Sequence, residues 1–156
     1  MKYCGSLYVA LNKEETVKFY NEILGLRVTQ DFGTNFTMTG GFAFQTLESW
    51  AGFIDMDSKD IKLGACNGEL YFETDDLDAV IKELNKHKKI EYVHKKKVHD
   101  WGQVGLRIYD PNHNIIEISE SMTCMCKRMH TSGMSAEEIA QRTGLSVKMT
   151  ERFLKK

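Results

Sequence analysis

The stretch Trp101-Gly102-Gln103-Val104-Gly105-Leu106-Arg107-Ile108-Tyr109-Asp110-Pro111-Asn112-His113-Asn114-Ile115-Ile116-Glu117-Ile118 decides the fold, and it reads as strand, tight turn, strand. Leu106 and Ile108 alternate with Arg107 and Tyr109, the period of two that suits a strand with one buried face. Asp110 to Asn114 is turn chemistry: Pro presets its own φ, and Asn and His tolerate left-handed backbone better than most residues. Beyond the turn, Ile116 and Ile118 share one face while Ile115 and Glu117 share the other. Glu117 is therefore a carboxylate inside an apolar strand. Taken alone, that pattern fits an edge strand whose polar face meets water.

Working outward, the same grammar occurs twice. Leu7-Tyr8-Val9-Ala10-Leu11 is a strand, Asn12 to Glu15 opens a helix carrying Val17, Tyr20, Ile23 and Leu24, and Gly25 stops it. Strands are expected from Leu26, over Asn35 to Thr39 and over Phe42 to Leu47, with a short segment from Trp50 to Met56. Leu70 to Thr74 repeats the first strand. Asp75-Asp76 opens a helix carrying Leu77, Val80, Ile81 and Leu84. Val93 and the quoted stretch supply three more strands. The two copies superpose at a spacing of about 63 to 64 residues, a repeat of a βαβββ unit. The run His94-Lys95-Lys96-Lys97 is expected as a solvated loop.

The pattern W-G-x-x-G-x-x-x-x-D-P-x-x-N-x-I-E-I resembles the closing hairpin of the vicinal-oxygen-chelate superfamily, which holds glyoxalase I, bleomycin-resistance proteins and extradiol dioxygenases. The resemblance implies an α+β fold in which two βαβββ modules, about residues 3–58 and 66–120, form a curved mixed sheet around a concave pocket. A C-terminal helical hairpin is expected to follow in an extension over 121–156. Alternation puts Glu69, Tyr71, Glu73, Gln45 and Glu117 on the pocket side, walled by Arg107 and Tyr109 with Trp101 at the rim. By resemblance Glu117 and Glu69 are the candidate catalytic carboxylates, and with Gln45 the candidate metal ligands. Gln45, Tyr71, Trp101, Arg107 and Tyr109 are the candidate ligand-binding residues.

The chain departs from the family's metal pattern. The first ligand position falls on Gly5 or Ser6, Glu69 stands where His is more usual, and His113 replaces the turn's usual Gly. That last change suggests an altered backbone at the turn. No His is expected on a pocket strand, so the oxygen-only set would suit Mg²⁺, Mn²⁺ or Ca²⁺ before Zn²⁺. Two facing carboxylates repel unless a cation or Arg107 stands between them. The metal-free reading is favoured.

A net charge of −1 removes a global argument for nucleic acid or an anionic membrane. No long apolar segment and no signal-peptide pattern is present, so a cytoplasmic protein with reduced Cys4, Cys66, Cys124 and Cys126 is expected. Cys124, Cys126 and His130 invite a zinc reading, but apolar packing is favoured for that segment.

In the tail, Ser135 to Glu138 is a capping box, and Thr143-Gly144-Leu145-Ser146 ends one helix and caps a second. Glu137 to Ser146 is similar to the first half of a helix-turn-helix. About 20 residues cannot hold a core alone, so docking on the domain or a sister subunit is expected, and nucleic acid is not. By resemblance the partners are a small molecule and a second copy of the chain. Three functions stay open: a lyase or isomerase using Glu117 or Glu69 as base, a ligand-sequestering resistance-type protein, and a metabolite-sensing regulatory module.

Overall fold

The computed structural model describes residues 1–156 and divides into two compact units. The first runs β1 (Leu7–Ala10), α1 (Lys13–Leu24), β2 (Val28–Asp31), β3 (Asn35–Met38), β4 (Ala43–Thr46) and α2 (Leu47–Phe53), ending in a 3-10 turn at Ser58–Asp60. Its sheet has the order β1-β4-β3-β2, with β1 parallel to β4 and the other pairs antiparallel. Asn12 caps α1 through the Glu15 amide, and Gly25 ends the helix in a left-handed conformation at φ 67°. Tyr20, Phe36 and Phe44 are fully buried, and Phe36 stacks on Phe44 at 5.5 Å. The fourth strand stops one residue earlier than alternation suggests. Leu47, Trp50 and Ala51 follow helical spacing instead, and the segment expected over Trp50 to Met56 is helix α2.

The turn Tyr109–Ile115 is compact with this first unit. Asp110, only 4% exposed, accepts from the amides of Asn112 and Asn114 (both 2.8 Å) and from the Tyr20 hydroxyl (2.9 Å). Burial, followed by the Asp110 charge, pushes the Tyr20 phenol well above its ordinary range. His113 keeps the turn, its amide donating to the Asp110 carbonyl at 3.0 Å. It adopts φ 59°, the left-handed conformation that a Gly takes without strain.

The second unit runs β5 (Glu69–Thr74), α3 (Leu77–Leu84), β6 (Tyr92–Val98), β7 (Val104–Tyr109) and β8 (Ile115–Glu120), in the sheet order β5-β8-β7-β6. Asp76 caps α3 through the Ala79 amide. Leu70, Leu84, Leu106, Ile108, Ile116 and Ile118 form its buried apolar set. Two expectations are corrected here. β8 is an interior strand, so Glu117 is not an edge residue facing water. The basic run His94 to Lys97 is not a loop but the middle of β6, although its lysines remain exposed.

The extension holds three helices where a hairpin was expected: α4 (Met122–Thr131), α5 (Ala136–Thr143) and α6 (Val147–Leu154). Met125, Cys126, Met129 and Ile139 make its buried centre, with Met122, Met134, Leu145, Phe153 and Leu154 packed around them. The capping box is present, Ser135 and Glu138 exchanging their hydrogen bonds. Helix α4 is anchored to the second unit. Arg128 reaches Glu120 (3.0 Å) and the Gly102 carbonyl (2.6 Å), and Ser121 donates to Asp75 (2.6 Å). Gly102 sits at φ +97°, and a Cβ there would stand 1.9 Å from Met129 Cε. Gly102→Ala is expected to cost about 2 kcal/mol, from backbone strain and overpacking. A urea midpoint equal to the wild-type value would disprove this close packing. No helix is long and apolar enough to cross a membrane, and all four cysteines are free thiols.

Candidate functional site

The second unit's sheet brings Glu69, Arg107 and Glu117 together. Alternation in β5 buries Leu70 and turns Glu69, Tyr71 and Glu73 to the other, exposed face. Glu117 on the neighbouring β8 is 3% exposed, and its carboxylate accepts from the Ser119 hydroxyl at 2.7 Å. Arg107, on β7, donates from Nε to Glu69 Oε2 (2.7 Å) and from Nη2 to Glu69 Oε1 (3.3 Å). The same Nη2 donates to Glu117 Oε2. One guanidinium thus serves both carboxylates, the charge-assisted arrangement its planar fork suits. It holds the Glu69 carboxyl below the ordinary carboxylate range, and its hydrogen bond to Glu69 raises the guanidinium's own pKa.

The remaining side of the guanidinium faces two imidazoles. Nη1 lies 3.2 Å from His94 Nε2 and 3.4 Å from His99 Nε2. His94 Nδ1 faces the Lys95 carbonyl at 2.9 Å, which puts its proton on Nδ1 and leaves Nε2 to accept. His99 stacks on Trp101 at 4.4 Å with the rings 4° from parallel. Burial depresses the His99 pKa below its ordinary value, against the pull of Glu117, so its neutral form is favoured. His94, on β6, corrects the expectation that no His lies on a site strand, and His99 stands one residue past the end of that strand.

Trp101 is 41% exposed and donates to Gln103 Oε1 at 3.2 Å. Gln103 in turn donates to the Tyr71 hydroxyl (2.8 Å), and Tyr71 donates to Glu73 (2.9 Å). Desolvation pushes the Tyr71 phenol up to about 12. Gln103 and Ser119 carried no signal in alternation. His99 had a weak one, standing two residues before the rim Trp.

Two other expected site residues, Gln45 and Tyr109, belong to the first unit. Gln45 is 1% exposed; Asn35 donates to its Oε1 at 2.7 Å and its amide meets Ser49. Tyr109 is compact with the first unit, its hydroxyl 3.7 Å from Cys66 Sγ and its ring 5.5 Å from His113. A divalent metal does not fit what is present. Arg107 already supplies the cation between Glu69 and Glu117, Gln45 is committed to its neighbours, and no group of three His, Cys, Asp or Glu is placed to hold an ion. Cys124 instead donates toward Asp75, and His130 Nδ1 meets the Met134 carbonyl.

Two successive βαβββ modules, the second with a carboxylate on its last strand, are the fold of the vicinal-oxygen-chelate superfamily. Residues 3–123 match the model of the glyoxalase-like domain, and the chain belongs to that family. Among solved structures, it is similar to a protein of unknown function from Agrobacterium tumefaciens str. C58 at 28% identity and TM-score 0.68, covering 78% of this chain and 95% of that one. A glyoxalase/bleomycin resistance protein/dioxygenase family enzyme from Burkholderia phytofirmans PsJN matches at 13% identity and TM-score 0.64, covering 75% and 96%. Lactoylglutathione lyase from Agrobacterium tumefaciens matches at 19% identity and TM-score 0.57, covering 77% and 93%. The last two likenesses speak for the fold alone. No curated protein matches the sequence.

Proposed function

We propose that this chain is a metal-independent binding member of the glyoxalase/bleomycin-resistance group, holding a small cationic, aromatic molecule on the face of Glu69, Arg107 and Glu117. The observation that carries this reading is the Arg107 guanidinium placed between the two carboxylates, where a metal-dependent relative would need its ion. The face still carries excess acid, with Glu69, Glu73 and Glu117 against one guanidinium. Exposed Tyr71 and Trp101 flank it, and a π-face beside carboxylates is a setting that attracts an organic cation.

The carboxylates are poorly placed for the alternative, proton abstraction in a lyase or isomerase. Glu117 is 3% exposed and already accepts from Arg107 and Ser119, so a substrate proton has little open approach to it. Titration of tryptophan fluorescence with ethidium tests the reading. Saturable quenching is expected, unchanged by EDTA, weakened about tenfold or more by Glu69→Gln and absent in Trp101→Phe, which lacks the tryptophan at the face. Stoichiometric divalent metal in the purified protein, lost in Glu117→Ala, would overturn it.

A further inference from the structure

The C-terminal helices supply no residue to the face of Glu69, Arg107 and Glu117. Two short helices alone cannot hold a core, which leaves a DNA-binding helix-turn-helix without support. Helix α4 supplies that support. With α4 as a third helix, α5 and α6 close around Met125, Cys126, Met129 and Ile139, and α4 fastens the trio to the second unit. Between α5 and α6 lies a three-residue turn, Gly144 to Ser146, with Gly144 left-handed at φ 74° and Ser146 capping α6 through the Met149 amide. This is the connection that a helix-turn-helix uses.

Charge then separates along the chain. Residues 121–156 hold seven Lys and Arg against three Glu, although the whole protein has a net charge of −1. The excess is concentrated on α6. Thr150, Phe153 and Leu154 turn inward, while Lys148, Arg152 and Lys155 recur at i, i+4 and i+7 on the opposite, exposed side. None of the three enters an ion pair. Glu151 and exposed Met149 flank this ridge; Glu137 and Glu138 sit at the start of α5, where Glu138 is engaged in the capping box.

We propose that α4, α5 and α6 form a helix-turn-helix that presents the Lys148–Arg152–Lys155 ridge of α6 to double-stranded DNA. The ridge lies on the recognition helix opposite its buried face, the side that enters a major groove. Phosphate contacts by three or four cations make binding strongly salt-dependent.

The test uses full-length protein and a fluorescein-labelled mixed-sequence 30-base-pair duplex, followed by anisotropy. Saturable binding is expected in 50 mM salt, weakening roughly 40- to 150-fold by 200 mM. Lys148→Glu/Arg152→Glu/Lys155→Glu is expected to lose binding at least tenfold with an unchanged melting curve, since all three side chains are exposed. No binding at 50 mM salt would overturn the proposal. So would equal binding by the triple variant, or binding to vesicles containing 30% anionic lipid in place of the duplex.

Discussion

Replacing Arg107 by Met lowers the stability of the protein by about 3–5 kcal/mol at neutral pH, the range for removing one partner of a buried ion pair. Glu117 is 3% exposed and shares the guanidinium with Glu69, so the variant leaves two neighbouring carboxylates without a counter-charge, one of them out of reach of water. For a domain of this size the loss corresponds to a melting point about 6–20 °C lower. Glu69 alone, about a third exposed, contributes little to that figure because solvent screens it.

The pH dependence has a definite sign. Arg107 depresses the Glu69 pKa in the folded state, so the contribution of Glu69 is present above the ordinary Glu value of 4.5 and fades as pH falls through the lower folded value. The Glu69 part of the gap between wild type and Arg107→Met is therefore full at neutral pH and fades under acid, a small narrowing because solvent screens that carboxylate. Adding Glu117→Gln to the variant recovers part of the loss, because an amide is less costly to bury than a charge. Urea denaturation followed by circular dichroism at pH 7 and pH 4 measures all of this. A variant as stable as wild type at pH 7 would show that Arg107 does not neutralise the pair.

What makes Arg107, Glu69 and Glu117 readable from sequence is the period of two, which needs no tertiary knowledge beyond which face is apolar. The histidines were hidden because β6 breaks that period. Its register against β7 shifts between Tyr92 and His94 and again between His94 and Lys97. An extra residue in a strand re-aims every side chain after it, and nothing in a run of lysines marks where it falls. Gln45 shows the opposite limit. Alternation separates it from the core residue Phe44 but says nothing about Asn35 and Ser49, which claim its amide. The tail divides in the same way. Caps and stops are local signals, so α5 and α6 were legible; the Met- and Cys-rich α4 was seen as apolar packing, but the partners of its apolar face are tertiary information.

Asp110→Ala is the second substitution with a large effect, about 4 kcal/mol, and it concerns the turn that the opening stretch made recognisable. In an ordinary Asx turn the carboxylate helps one amide, and Ala costs little. Here Oδ1 accepts from the amides of both Asn112 and Asn114, while Oδ2 accepts from Tyr20 and from the Asn114 side chain at 3.0 Å. Asn112, itself 1% exposed, is held in place to accept from the Leu11 amide at 2.8 Å, so the network extends from the turn to the start of α1. Ala strands several buried donors at once, each costing about 1–3 kcal/mol less whatever water can reach. It also removes what holds His113 left-handed at φ 59°. Tyr20→Phe, which takes away a single hydroxyl, is the graded control at about 1–2 kcal/mol. If Asp110→Ala costs no more than Tyr20→Phe in the same denaturation experiment, the carboxylate is not the hub of this network, and the turn is held by Asn112 instead.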